Sequence, residues 1–170
     1  GQPFDEPNDD NGSGVGLDED GNLILNRNEV RFEYLWVANA GEGTISKVDT
    51  RDLREVGRFD SVGPNNDGLS PGSQNSPSRT GIDLNGDMFV ANRAFGRQPS
   101  VTKIYNRDCQ DRNGNGRIET SQDANGNNVI DRGNPQEFFG QNDECYAWTK
   151  AIGRNGGTAR ALAIDSGDAQ

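Results

Sequence analysis

Two blocks of the chain carry the same short pattern of apolar and polar residues, and this repeat is the strongest constraint on the fold. Residues 37–39 read Val-Ala-Asn, and so do residues 90–92. Residues 44–48 (TISKV) likewise match residues 100–104 (SVTKI). Short runs of this kind, separated by turn residues, predict antiparallel strands joined by hairpins. The repeat therefore predicts an all-β fold of antiparallel β-meander repeats.

The strand pattern divides the chain into segments. The expected strands are residues 23–25, 33–40, 43–50, 54–60, 80–84, 87–93 and 100–106. We expect an acidic N-terminal loop over 1–22, a first β-repeat over 23–60, a loop over 61–78, a second β-repeat over 79–106, an irregular insertion over 107–146 and the start of a third β-repeat over 147–170. The third copy is indicated by Arg160 and Gly167-Asp168, which are spaced like Arg79 and Gly86-Asp87.

Two stretches of these blocks resemble a known family. LWVANAGEGTISKVDT (residues 35–50) and GDMFVANRAFGRQPSVTKI (residues 86–104) are similar to blades of NHL/YVTN-type β-propellers, in which a hairpin of the form (V)ANxGxGTVSKID lies in the middle of a blade. The resemblance covers residues 30–106 and 158–170 and implies a fold of β-propeller type. Because closed propellers have at least about four blades, it implies a fragment, an open relative or a propeller completed by neighbouring chains.

The charge balance favours cations as partners. The chain has 27 Asp and Glu against 17 Lys and Arg, a formal net charge of -10. Phosphate binding needs clustered Lys and Arg, so no nucleic-acid partner is expected. An acidic surface can also serve solubility alone, and this reading stays open for the charges outside the insertion. The sequence has no apolar run of about 18 or more residues, so no membrane span is expected.

The insertion contains two Asp/Asn-rich loops in tandem. Residues 111–119 (DRNGNGRIE) and 123–131 (DANGNNVID) share Asp at position 1, Asn at positions 3 and 5, Ile at position 8 and an acidic residue at position 9. Ca²⁺ binds roughly six to eight oxygens, and side chains at positions 1, 3 and 5 of a tight loop converge on one point while position 7 offers a backbone carbonyl. The predicted calcium ligands are Asp111, Asn113, Asn115, Arg117 and Glu119 in the first loop and Asp123, Asn125, Asn127, Val129 and Asp131 in the second.

The first loop resembles the calcium loop of EF-hands, and the tandem arrangement without flanking helices is similar to thrombospondin type 3 repeats. Position 12 departs from the EF-hand pattern, because Gln122 and Asn134 stand where a bidentate Glu is usual. The second resemblance implies that Asp123 can close the first site. The Ile at position 8 is expected to anchor each loop to a neighbour. With few charged ligands per ion, we expect the weak affinity of extracellular modules, ~10⁻⁴–10⁻³ M.

Other readings of the loops remain open. Asn and Gly favour turns, so the insertion could be a turn array without metal. Mg²⁺ fits less well than Ca²⁺ because it tends to keep its water ligands. Zn²⁺ is not favoured, because the chain has no His and both cysteines lie outside the loops.

The cysteine count points to the compartment. Cys109 and Cys145 are the two cysteines, and they flank the loops. An even number in an exported protein favours one disulfide, which would close the insertion. Two buried free thiols are the alternative. We expect a secreted protein, extracellular or at the cell surface.

The absence of His shapes the functional expectation. It removes Ser-His-Asp and Cys-His catalysis, and the streptogramin lyases, an enzyme family with this type of blade, rely on His and metal. We therefore expect no enzyme but an extracellular calcium-binding structural protein that self-associates into a homopolymer, such as a filament or surface layer. Incomplete repeats expose sheet edges with which a neighbour's strand can pair. The alternative is a fragment of a secreted β-propeller binding or adhesion module, and the size in solution separates the two.

Overall fold

The computed structural model describes residues 15–17, 20–25 and 32–165. The chain forms two compact units, residues 1–31 and residues 32–170. The described strands make one hairpin in the first unit and two antiparallel sheets in the second. The prediction of an all-β fold with antiparallel strands is therefore confirmed.

The described part of the first unit is a single hairpin. Strand β1 (Val15–Leu17) pairs antiparallel with β2 (Leu23–Leu25). β2 coincides with an expected strand, whereas β1 lies within the segment 1–22 that the sequence predicts as loop. The acidic residues before position 15 lie outside the described residues.

Two antiparallel sheets make up the second unit. The three-stranded sheet has the order β3 (Tyr34–Asn39), β4 (Thr44–Asp49), β5 (Glu55–Asp60). The four-stranded sheet has the order β6 (Pro77–Ile82), β7 (Met88–Asn92), β8 (Ser100–Ile104), β9 (Tyr146–Ala151). Helical structure in the described residues is limited to two 3-10 turns, Ser73–Asn75 and Gly140–Asn142. Within the same residues, no helix has the length and apolar character needed to cross a membrane.

The β3–β4 hairpin and the β7–β8 hairpin have the same strand register. Asn39 lies opposite Thr44 in the β3–β4 hairpin, and Asn92 lies opposite Ser100 in the β7–β8 hairpin. These are the positions that the sequence repeat aligns. The Asn side chains also act alike, since Asn39 Nδ2 donates to Thr44 Oγ1 at 3.2 Å and Asn92 Nδ2 donates to Ser100 Oγ at 3.0 Å.

The next strand pair in each sheet contains the same irregularity. The register between β4 and β5 shifts between Lys47 and Val48. The register between β8 and β9 shifts between Lys103 and Ile104, which are the aligned residues of the second repeat. A bulge that recurs at one place in both copies marks a structural repeat, in which β3, β4 and β5 correspond to β7, β8 and β9.

A hydrophobic core lies between the two sheets. The ring of Phe59 contacts that of Trp36 in a tilted arrangement, with centroids 5.9 Å apart, and that of Tyr146 edge-on, with centroids 6.1 Å apart. Each large apolar side chain that is buried stabilises the fold by roughly 1.5–3 kcal/mol. The main core residues are Trp36, Ile45 and Phe59 from the three-stranded sheet and Met88, Val90, Ile104 and Tyr146 from the four-stranded sheet.

Buried polar groups reinforce the same contact. The carbonyl of Ser61, just after β5, accepts hydrogen bonds from Asn92 Nδ2 at 2.8 Å and from Thr102 Oγ1 at 2.7 Å. Thr149 Oγ1 lies 2.9 Å from Thr102 Oγ1 and accepts the N–H of Gly63 at 2.9 Å. One face of the four-stranded sheet is therefore matched to the three-stranded sheet through both apolar and polar contacts.

Strand β9 corrects one expected boundary. The sequence places residues 147–170 at the start of a third repeat, but β9 (Tyr146–Ala151) pairs with β8 as an edge strand of the four-stranded sheet. The insertion separates β8 from β9 in the chain and so hides their pairing in the sequence. Of the expected third copy, residues 160–165 are described and form no strand, while Gly167 and Asp168 lie outside the described residues.

Candidate metal centre

The first loop is organised by the carboxylate of Asp111. Its Oδ1 accepts the backbone N–H of Gly114 at 2.7 Å and of Asn115 at 3.2 Å. Its Oδ2 accepts the N–H of Gly116 at 2.7 Å. Three backbone donors from positions 4, 5 and 6 thus converge on the position 1 side chain. They use about three of the four lone-pair sites of a carboxylate, which leaves one for a cation.

The Asn side chains of the first loop form turns of their own. Asn113 Oδ1 accepts the N–H of Asn115, and Asn115 Oδ1 accepts the N–H of Arg117, each at 2.9 Å. These Asx turns fix the amide oxygens of positions 3 and 5 beside the position 1 carboxylate. Asn113 Nδ2 also donates to Glu119 Oε2 at 2.7 Å, so positions 3 and 9 are brought together.

The second loop repeats this geometry. Asp123 Oδ1 accepts the N–H of Gly126 at 2.8 Å and of Asn127 at 3.2 Å, and its Oδ2 accepts the N–H of Asn128 at 2.7 Å. Asn125 Oδ1 accepts the N–H of Asn127 at 3.0 Å. The Asp123 carboxylate therefore organises its own loop, and no hydrogen bond among the described residues ties it to the first loop.

Asn128 stands where the first loop has Gly116. Its φ is 65° and that of Gly116 is 81°, so both residues adopt the left-handed conformation. Asn tolerates this region better than other residues with a Cβ. Asn128 therefore takes the place of Gly116 without a change in the turn.

Glu144 closes the first loop from outside it. Its Oε1 accepts the backbone N–H of Arg112 at 2.8 Å and of Asn113 at 3.2 Å. Its Oε2 accepts the N–H of Glu119 at 3.0 Å. These hydrogen bonds, that from Glu119 first, hold the pKa of Glu144 below its ordinary value although the side chain is buried. The group is therefore a carboxylate at neutral pH.

Glu137 closes the second loop in the same way. Its Oε2 accepts the N–H of Asp131 at 2.9 Å, and Asp131 holds the position that Glu119 holds in the first loop. Its Oε1 accepts a hydrogen bond from the side chain of Asn125. Glu137 is fully buried. A buried carboxylate from later in the chain thus accompanies each loop.

Asp143 connects the two loops to the disulfide. Its Oδ2 accepts the N–H of Ser121 at 2.8 Å and the hydroxyl of Ser121 at 2.9 Å, and its Oδ1 accepts the N–H of Cys145 at 3.0 Å. Burial raises the pKa of Asp143, and the hydrogen bonds from Cys145 and Ser121 oppose that rise. Cys145 forms the predicted disulfide with Cys109, so the expected closure of the insertion is confirmed.

The two Ile residues at position 8 differ. Ile130 is buried, as expected of an anchor, whereas Ile118 is exposed. The second loop also reaches the three-stranded sheet region, where Arg54 Nη1 donates to Asn128 Oδ1 at 3.4 Å and Arg132 Nη2 pairs with Asp60 Oδ1 at 2.9 Å. The anchoring prediction therefore holds for the second loop, and the first loop depends on Glu144.

The loops gather amide and backbone oxygens more than acidic side chains. No group of three or more His, Cys, Asp or Glu in the described ranges lies together in a way that could hold a metal ion. Amide and carbonyl oxygens are nevertheless ordinary Ca²⁺ ligands in loops of this type. The position 1, 3 and 5 residues are exposed in the first loop, and in the second loop Asn125 and Asn127 are exposed while Asp123 is half-buried.

Sequence reasoning missed the closing carboxylates. The sequence pattern predicts no role for Glu137, Asp143 or Glu144, because none of them lies within either loop. The available signal was the position of Asp143 and Glu144 directly before Cys145, whose bridge returns the chain to the start of the insertion. A cleft of about 540 Å³ lies beside the first loop, and Glu119 and Glu144 are among the residues that line it.

Comparison with family models, curated proteins and solved structures gives no match for this chain.

Proposed function

We propose that this chain is an extracellular calcium-binding structural protein that self-associates and is built from repeats of β-propeller type. The observation that carries the calcium assignment is the recurrence of one loop geometry. In both loops the position 1 Asp accepts three backbone N–H groups, and a buried Glu accepts the N–H of position 9. A turn array without a ligand has no need for the same oxygen arrangement twice.

The donor set favours a hard cation. The first site offers carboxylate oxygens from Asp111, amide oxygens from Asn113 and Asn115, and the carbonyl of Arg117, with Glu119 beside them. Hard oxygen donors without thiolate or imidazole are suited to Ca²⁺. Position 1, 3 and 5 oxygens in a pre-folded loop reduce the ordering cost of binding.

An extracellular setting fits both the disulfide and the expected affinity. The Cys109–Cys145 bridge is compatible with an oxidising compartment. Sites with a Kd of ~10⁻⁴–10⁻³ M fill only where calcium is abundant, as it is outside cells. No catalytic role is part of the proposal.

The test is a thermal melt in 10 mM CaCl2, in 10 mM MgCl2 and in excess EDTA, at matched ionic strength. At about tenfold the Kd, one site stabilises the fold by about 1.4 kcal/mol, which raises Tm by about 3–6 °C for a chain of this size. We expect this rise with calcium, a smaller one with magnesium, and none in the double variant Asp111→Asn, Asp123→Asn. An identical Tm in all three solutions would rule out an exchangeable stabilising calcium site.

A second candidate is a fragment of a secreted β-propeller binding module. It is favoured by the four-stranded meander β6–β9 and by the chain after β9, where Ile164 lies against Gly81 of β6 as a third repeat would begin to do. Sedimentation velocity discriminates the two candidates, since an assembly protein grows with concentration whereas a binding fragment remains a monomer.

A further inference from the structure

Two equivalent pairs of residues in the repeats differ sharply in exposure. Leu35 corresponds to Met88 and Val37 to Val90, because the repeat aligns β3 with β7. Met88 and Val90 are 0% exposed in the core between the sheets, whereas Leu35 is 54% and Val37 38% exposed. The face of the three-stranded sheet that bears Leu35 and Val37 is therefore the counterpart of a face that is buried elsewhere in the same chain.

The four-stranded sheet also has an exposed face whose counterpart in the other sheet is buried. Trp36 and Ile45 of the three-stranded sheet are buried against the four-stranded sheet, and their counterparts are Phe89 and Val101. Phe89 and Val101 instead line an open groove of about 760 Å³, together with Trp148, which is 38% exposed. The rings of Phe89 and Trp148 pack edge-on with centroids 5.9 Å apart, so this groove has a formed aromatic surface.

Among the described residues, the unit thus contains one matched pair of sheet faces and two unmatched ones. We call Leu35, Val37 and Val48 the first face, and Phe89, Val101 and Trp148 the second face. In the contact between the two sheets, Trp36 and Ile45 of the first repeat occupy second-face positions and pack with Met88 and Val90, which occupy first-face positions of the second repeat. The internal contact therefore shows that a second face fits a first face. We propose that the second face of one copy binds the first face of another copy, which repeats the internal sheet-on-sheet contact between chains.

Lysine contacts support the same arrangement. In the internal contact Lys47 Nζ donates to the carbonyl of Asn106 across the two sheets at 2.6 Å. Lys103 is the counterpart of Lys47 and lies 5.1 Å from the Phe89 ring of the second face. Thr50 is the counterpart of Asn106 and follows β4 near the first face. In the single chain Lys103 Nζ pairs with Asp83 at 3.2 Å and with Asp87 at 2.9 Å, and in a docked copy it would lie near the Thr50 carbonyl as Lys47 lies near that of Asn106.

The difference in strand number between the two sheets also fits the binding of a neighbouring copy. The four-stranded sheet has β6 beside β7, but in the described residues no strand pairs with the corresponding edge of β3. Residues 160–164 occupy the position of β6 in the sequence repeat, and Arg79 Nε donates to the carbonyl of Arg160 at 3.1 Å. This segment lies by the second face, where it would meet the β3 edge of a docked copy and can add to it.

The two faces are different surfaces, so the contact is heterologous. Each copy that binds leaves one face open at either end, and growth continues unless the rotation closes a ring. The inference rests on the proposed function as an assembly protein and names the surfaces that this assembly uses.

The test compares two face variants with a control outside both faces. Val37→Glu places a charge in the first face and Trp148→Glu one in the second, while Leu53→Glu changes an exposed Leu outside both faces. By sedimentation velocity, wild type and Leu53→Glu should form species that grow with concentration, and each face variant alone should remain a monomer. Thermal melts check that every variant is folded.

Mixing the two face variants provides the sharpest readout. The intact second face of Val37→Glu can still bind the intact first face of Trp148→Glu, so an equimolar mixture should give a dimer that does not grow further. If the mixture stays monomeric, or if both face variants assemble as the wild type does, the assignment of these surfaces is wrong while the proposed assembly function stands. A wild type that is a monomer at every concentration overturns both.

Discussion

Glu144 accepts the backbone N–H of Glu119 at 3.0 Å, although the two residues lie on opposite sides of the second loop in the sequence. The contact ties the end of the first loop to the residue next to Cys145. Glu137 makes the matching contact with Asp131. Both closing carboxylates precede β9 in the chain. The conformation of the loops therefore depends on the same segment that returns the chain to the four-stranded sheet.

Removal of one closing carboxylate should weaken the insertion and its ion affinity together. In Glu137→Gln one oxygen is replaced by an NH₂ group, which cannot accept the N–H of Asp131 or the amide hydrogen of Asn125. A buried donor without a partner costs about 1–3 kcal/mol. We expect that loss in urea unfolding in EDTA, and a larger difference in calcium.

Glu42→Gln is the matched control for this substitution. Glu42 is exposed and pairs with Arg58, so its change should alter stability by less than about 1 kcal/mol and leave calcium affinity unchanged. Equal effects of the two substitutions would show that Glu137 has no special place in the loop.

Loss of the disulfide should destabilise the unit without removing the sheets. The bridge spans a sequence separation of 36 residues, and closing a loop of that size stabilises the fold by about 3–4 kcal/mol through the entropy of the unfolded chain. The double variant Cys109→Ser, Cys145→Ser should show this loss in urea unfolding and keep the β signal of its circular dichroism spectrum. Unchanged stability would indicate that the unfolded insertion is already constrained.

The strands could be predicted because their signal is local. Short runs that mix polar and apolar residues mark β4 and β8, and the repeat aligns the two strands without further information. β9 could not be placed, because pairing with β8 depends on a contact across the whole insertion. β1 is short and lies among turn residues, so its pattern does not stand out.

Some residues of the candidate site could likewise be predicted from the sequence, and others could not. Asp111 and Asp123 could be predicted, since each organises hydrogen bonds within a few residues of itself. Glu144 could not, because its partners lie at the other end of the insertion and its sequence neighbours are those of a strand start. The long-range contacts that bury an acidic side chain leave no local pattern in the sequence.

The left-handed conformation of Asn128 predicts the outcome of a simple pair of substitutions. Its φ is 65°, a region that costs most residues about 1–2 kcal/mol. Asn128→Ala should lower the free energy of unfolding by about that amount, whereas Asn128→Gly should not, because Gly adopts this conformation freely. Urea unfolding in EDTA measures both, and equal losses would point to the side-chain contact with Arg54 as the cause.

Lys47 predicts a rise in stability at alkaline pH. Burial, with a smaller contribution from Arg107, lowers its pKa to about 8 from an ordinary value of 10.5. Between these two values the unfolded chain binds more protons than the folded chain, so this group makes the free energy of unfolding increase as pH rises, by at most about 1.4 kcal/mol per pH unit. Below pH 8 both states are protonated and the contribution is constant.

Urea unfolding of wild type and Lys47→Met between pH 7 and 10.5 isolates the contribution of Lys47 as the difference between the two curves. Lys150→Met is the control for loss of a lysine at an exposed position. A flat difference between wild type and Lys47→Met would mean that Lys47 keeps its ordinary pKa, with its charge fully compensated by the Asn106 carbonyl and the Tyr34 ring.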